Sequence, residues 1–166
     1  MTDKEWASSR SAKNMLSMLH QEQPQYLATQ VRQLHKFLIA CCWKHQHLIP
    51  QDSLRSGLKG AEKWIRGEID EAELNRLEYY AEADAFFLDY ATTPEEITEI
   101  KTLIEGIEEV REMPFDQARS LLRDAAYFAN GSIMYPLFDR LPWVESLFAS
   151  EFLFPDLLRE FLEPKF

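Results

Sequence analysis

Cys41 and His45 stand four residues apart, and His35 and His47 are close by in the chain. On a helix that separation is about one turn, so a thiolate and an imidazole could converge on one metal ion. The same pair could also set a base beside a nucleophilic thiol. A metal site needs three or four ligands, however, and no second Cys or His pair occurs elsewhere. Both cysteines also fall in the most apolar run, Phe37 to Trp43. Burial there raises a thiol's pKa and removes its reactivity. Cys41 therefore reads first as a small buried apolar side chain. No catalytic residue, cofactor or metal is assigned, with Cys41 and His45 kept as the weak metal candidates. Cys41 and its neighbour Cys42 diverge by about 100° on a helix, so both are expected as reduced thiols.

Paired carboxylates are the next chemistry to weigh. Glu78 and Glu82, and again Glu105 and Glu109, lie one turn apart. Helical sites that use such pairs for di-metal work add a Glu-x-x-His motif, and no histidine here follows a Glu by three. A solvated helix face is the simpler reading. No Gly-x-Gly-x-x-Gly, phosphate loop or nucleophile elbow is present, and five glycines make a backbone cradle for phosphate improbable.

Charge is distributed more informatively than it is summed. The chain carries −10 overall: residues 1–67 carry +5, residues 68–112 carry −12 and residues 113–166 carry −3. The acidic middle would repel phosphates and could face a basic partner. Glu105, Glu108, Glu109 and Glu112 are the acidic partner-binding candidates. Aromatics crowd the last third: Phe138, Trp143, Phe148, Phe152, Phe154, Phe161 and Phe166. Aromatics fill cores and are also favoured at interface centres. Trp143, Phe148, Phe152 and Phe154 therefore join the candidates. The basic first third, with Arg10, Lys13, Arg32, Lys36, Lys44, Arg55, Lys59, Lys63 and Arg66, offers an alternative surface for nucleic acid.

The elements that must position these groups read as helices. Leu27, Val31, Leu34, Leu38, Cys41 and His45 recur at steps of four and three, predicting one central helix over Tyr26 to His47. Thr2-Asp3-Lys4-Glu5 and Thr93-Pro94-Glu95-Glu96 are capping boxes, and Asp70 to Glu73 follows the same logic. Leu54, Leu58, Ala61 and Ile65 define a helix that Gly67 ends. Leu74, Leu77, Ala81, Ala85 and Leu88 mark the inner face of a longer one, with Tyr80 and Phe87 flanking it. Ile97, Ile100, Ile104, Ile107 and Val110 define the next, opposite an acidic face. Phe115, Ala118, Leu122 and Ala125 start another, expected to stop at Asn130-Gly131. Period-two alternation is absent, so a sheet is not expected.

The expectation is an all-α bundle of about six to eight helices around the 25–47 helix, forming a single domain over residues 1–166. A short N-terminal arm is expected over residues 1–20 and an irregular aromatic tail over 132–166. The longest apolar run falls short of the roughly 20 residues a membrane span needs, and the N-terminus lacks a secretory core. The protein is expected to be cytoplasmic.

Several phrases also resemble an uncharacterised family of bacterial proteins. Met1-Thr2-Asp3-Lys4-Glu5-Trp6 is similar to that family's M-T-E-x-E-W opening, and Asn14 to Leu19 keeps the M-L and later Leu of its next phrase. Gln33 to Trp43 resembles its K-L-R-L-F-A-C-A-C-C-R helix, with Trp43 where those proteins carry Arg. Ala61 to Gly67, with Glu73-Leu74, resembles A-E-R-Y-A-D-G-x-x-x-x-x-E-L, and Leu121 to Asp124 resembles L-L-R-D. The resemblance implies an all-helical fold and transfers no catalytic residue. The acidic block, the surplus of tail aromatics and the missing catalytic constellation lead to the expectation of a non-enzymatic interaction or regulatory accessory protein, of the kind that accompanies bacterial defence or stress systems. Its partner would be another protein, with self-association a further possibility.

Overall fold

Side chains set the helix starts where the sequence placed them. At the N-terminus the Glu5 amide donates to Thr2 Oγ1 at 3.2 Å and the Thr2 amide donates to Glu5 Oε2 at 2.7 Å. The same reciprocal pair joins Thr93 and Glu96, at 3.3 and 3.0 Å. Asp70 Oδ1 accepts the Glu73 amide at 2.9 Å. Each arrangement satisfies amides that have no partner inside their own helix.

The computed structural model describes the backbone of residues 1–137 and 141–166, and the side chains of residues 1–137 and 144–166. Among them are ten α-helices and no strand: α1 (Asp3–Ser8), α2 (Ala12–Glu22), α3 (Pro24–Thr29), α4 (Val31–Lys44), α5 (Asp52–Ile65), α6 (Glu71–Tyr90), α7 (Pro94–Glu105), α8 (Phe115–Met134), α9 (Leu141–Phe148) and α10 (Pro155–Phe161). The fold is all-α, with a helix count slightly above the expected six to eight. No helix among the described residues is long and apolar enough to cross a membrane.

The excess comes partly from a break in the predicted central helix. Thr29 Oγ1 donates to the Tyr26 carbonyl at 2.7 Å, and the Gln30 amide turns to Leu27 O at 3.0 Å. A side chain competing for a backbone carbonyl ends α3, and α4 restarts from Gln30. The restart moves Val31 off the inner face to 40% exposure, whereas Leu34, Leu38 and Cys41 stay buried. His45 becomes the residue that ends α4.

α8 shares the centre with α4. It packs on α4, α5, α6, α7 and α9, and its residues from Phe128 to Met134 are all buried. Asn130-Gly131 does not stop it, contrary to expectation. A Cβ on Gly131 would lie 2.9 Å from Leu147 Cδ2, so this glycine admits α9 instead of making a turn. α7 ends earlier than the Ile periodicity suggested, at Glu105. Ile107 and Val110 are still buried, held by short-range turns such as Val110 N to Ile107 O at 3.2 Å.

Both chain ends lie against the body. Trp6, Met15, Leu16 and Leu19 are buried. From α10, Arg159 donates to Trp6 O at 3.1 Å and also to Ser9 O. Gln23 Nε2 reaches Lys165 O at 2.8 Å.

Candidate interaction surface

The fold buries the thiol of the Cys41–His45 pair and half-buries its imidazole. Cys41 has no exposed surface, and burial pushes its thiol up to about 12. Cys42 is raised further, again mainly by burial. The His45 imidazole is half-buried and held below its ordinary pKa by burial and then by His47. Among the described residues no group of three or more His, Cys, Asp or Glu is placed to hold a metal ion.

His45 instead explains where the tail aromatics go. Its ring stacks on Phe154 at 4.8 Å and meets Phe152 edge-on at 4.9 Å. Phe152 lies 5.6 Å from Phe128 in α8, and Phe148 lies 5.5 Å from Tyr135. All three Phe side chains are half-buried and pack against the core. The tail thus returns across the end of α4, with Lys44 above the Phe154 ring at 5.6 Å. The Phe138 and Trp143 side chains lie outside the described residues.

Glu105, Glu108, Glu109 and Glu112 are all exposed. Only Glu105 belongs to α7; the other three sit on the turns that follow, so they do not form one helical face. Glu109 pairs with His47, across a cleft of about 670 Å³ that Arg55 also lines. Several cations of the first third serve the fold. Arg55 donates to Ile49 O at 2.7 Å and to Gln46 O at 2.8 Å. Arg66 pairs with Glu68 at 2.7 Å, and Arg32 reaches Ile65 O at 3.3 Å.

The surface that most needs explanation is on α6. Its inner face, with Leu74, Ala81, Ala85 and Leu88, is fully buried against α5 and α8. Its outer face leaves Tyr79 68%, Phe86 41% and Tyr90 71% exposed, and Tyr80 beside them 55%. Tyr80 was expected beside the buried face and is turned to solvent. Tyr79, Ala83, Phe86 and Tyr90 recur at steps of four, three and four, so they form one line down the helix. Phe86 touches Tyr90 at 5.9 Å and Tyr127 of α8 at 6.1 Å between ring centres. The signal was present in the sequence as a second stripe of the same period. It was masked because the inner stripe already accounted for the helix.

Carboxylates flank this line, roughly 70–130° round the helix at the ordinary turn per residue. Glu78, Glu82 and Asp89 lie on the side toward α8, and Glu73 and Asp84 lie on the other. Asp89 accepts the Tyr127 hydroxyl at 2.7 Å, and Asp84 accepts that of Ser53. Glu73 is held by Arg76 at 2.7 Å. Glu78 is half-buried, and its carboxyl is raised first by that burial and then by Glu82 one turn on.

Compared with known proteins, the chain matches no family model, no curated protein sequence and no solved structure.

Proposed function

We propose that this protein is a non-enzymatic interaction protein that engages another protein through its acidic middle third, with the outer face of α6 at the centre. The observation that carries this reading is the line Tyr79–Phe86–Tyr90, left in solvent on a helix whose opposite face is fully buried. Burying a large apolar side chain is worth about 1.5–3 kcal/mol, and an exposed run of them along one line is the kind of surface that marks an interaction site. Tyrosine and phenylalanine are also the residue types that interface centres favour. An accessory role in a bacterial defence or stress system is part of this proposal.

A photo-crosslinking residue placed at Tyr79, with Lys13 as an exposed control position, tests the reading in cells of the source organism. The expected result is a discrete cross-linked protein at Tyr79 and none at Lys13. The product should disappear in a Tyr79-labelled chain carrying Phe86→Ser and Tyr90→Ser. It should weaken when Glu105, Glu108, Glu109 and Glu112 are reversed to Lys. No product, or the same products from both positions, overturns the reading.

A further inference from the structure

The line from Tyr79 to Tyr90 is about 16 Å long, three turns of helix, and Ala72 and Ala83 lie exposed along the same line. An aromatic strip of that length, with Ala83 between the rings, matches the spacing of apolar anchors on a partner helix. Its surroundings narrow the partner's charge. Residues 68–112 carry −12, and carboxylates stand on both sides of the strip. Glu78 and Glu82 are the most demanding of these, because like charges one turn apart on a helix repel. Beneath Glu78 lies Asn130, buried at 8% exposure, whose side-chain hydrogen bond partly offsets the shift of that carboxyl.

We propose, resting on the interaction reading above, that α6 docks a basic amphipathic segment of a partner protein. Its apolar side chains lie along Tyr79, Phe86 and Tyr90, and a Lys or Arg sits between Glu78 and Glu82. A cation there replaces carboxylate repulsion with attraction at two sites and lies near tyrosine faces, which also attract cations. The Glu78 carboxyl is raised first by burial and then by Glu82, and a cation beside both carboxylates would oppose the second cause. A second copy docked about a two-fold axis would set the carboxylate flanks of the two strips against each other. Nucleic acid and anionic membranes would meet the same repulsion.

Titration of the isotopically labelled full chain with a synthetic amphipathic Leu/Lys peptide tests the proposal. Controls are the same composition in scrambled order and the same design with Glu for Lys. Expected are saturable NMR shifts centred on α6 that weaken with salt and are absent with both controls. Glu78→Gln with Glu82→Gln should weaken binding about tenfold, and so should Tyr79→Ser with Phe86→Ser and Tyr90→Ser. Tyr79, Phe86 and Tyr90 are exposed and Glu78 and Glu82 half-buried, and thermal melts establish that the variants are folded. Equal binding of the scrambled peptide, shifts centred elsewhere, or unchanged affinity in either variant overturns the proposal. Sedimentation showing that the strip is occupied by a second copy of this chain also overturns it. A partner cross-linked at Tyr79 whose capture is unchanged by Glu78→Gln and Glu82→Gln leaves the interaction reading standing and removes this one. Absence of any cross-linked partner removes both.

Discussion

His35 Nε2 lies 3.1 Å from the carbonyl oxygen of Ile133, tying α4 to the last turn of α8. That carbonyl has no donor within its own helix, and a carbonyl only accepts, so Nε2 carries the proton and Nδ1 is bare. Nδ1 is buried without a partner, and the ring sits between Trp64 at 5.8 Å and Tyr135 at 6.1 Å.

Burial pushes the His35 pKa down to about 4. The unfolded chain, with an ordinary histidine, therefore binds this proton more readily between about pH 6.5 and pH 4. The stability is fully present above that range and falls as pH drops through it, by about 3 kcal/mol in all. His35→Phe removes the titration and, by orphaning the Ile133 carbonyl, costs about 1 kcal/mol at neutral pH. Denaturant unfolding at pH 7 and pH 4.5 should show the larger loss on acidification in the native chain. An equal loss in both would refute the assignment.

The two cysteines should be silent toward thiol reagents in the folded protein. Burial raises both thiols, and thiolate is the reacting form. Titration with a chromogenic disulfide should detect no thiol under native conditions and both after denaturation. Rapid native modification at Cys41 would contradict its burial.

Phe154 should behave as a structural residue through its stacking on His45. Phe154→Ala should destabilise by about 1–3 kcal/mol, below the cost of truncating a fully buried phenylalanine, because the ring is half-buried. Tyr79→Ser, on the outer face of α6, should change stability by less than about 0.5 kcal/mol. Paired urea titrations check the contrast; comparable losses would mean that Tyr79 is packed in solution.

Two glycines of α5 and its exit should fail for different reasons. Gly67 has φ +74°, and the Glu68 amide reaches Lys63 O at 2.9 Å in the turn that ends α5. Gly67→Ala should cost about 1 kcal/mol through backbone strain, with Gly67→Asn tolerated better. At Gly57 a Cβ would lie 2.5 Å from Ile133 Cδ1. Gly57→Val should cost about 1–3 kcal/mol by overpacking α5 against α8, and Gly57→Ala less, because the helix gains propensity. Thermal melts of the four variants would separate the two effects.

Local chemistry made much of this fold legible. The capping boxes at Thr2 and Thr93, the cap at Asp70, the glycine exit at Gly67 and the inner stripes of α5 and α6 depend on neighbours within one or two turns. Such features can be read from the chain because their partners are a few residues away. The misreadings came where a local signal had two outcomes. Thr29 could continue its helix or take the Tyr26 carbonyl, and it took the carbonyl. Asn130-Gly131 could turn or stay helical, and Leu147 pressing on Gly131 favours the helix.

By itself, then, the amino-acid sequence determined that this is an all-α chain, where most helices begin, and that negative charge gathers in its middle third. Those properties follow from backbone capping, period and composition, all of which are local. Only the tertiary structure decided which apolar residues stay outside. Phe152 and Phe154 are covered because the tail crosses α4 at His45. Tyr79, Phe86 and Tyr90 are left open because α6 already spends its other face on α5 and α8, and no further helix among the described residues lies over them. A helix packed on one side only, as α6 is, gives one face to the core, and which residues occupy that face depends on packing between segments distant in sequence.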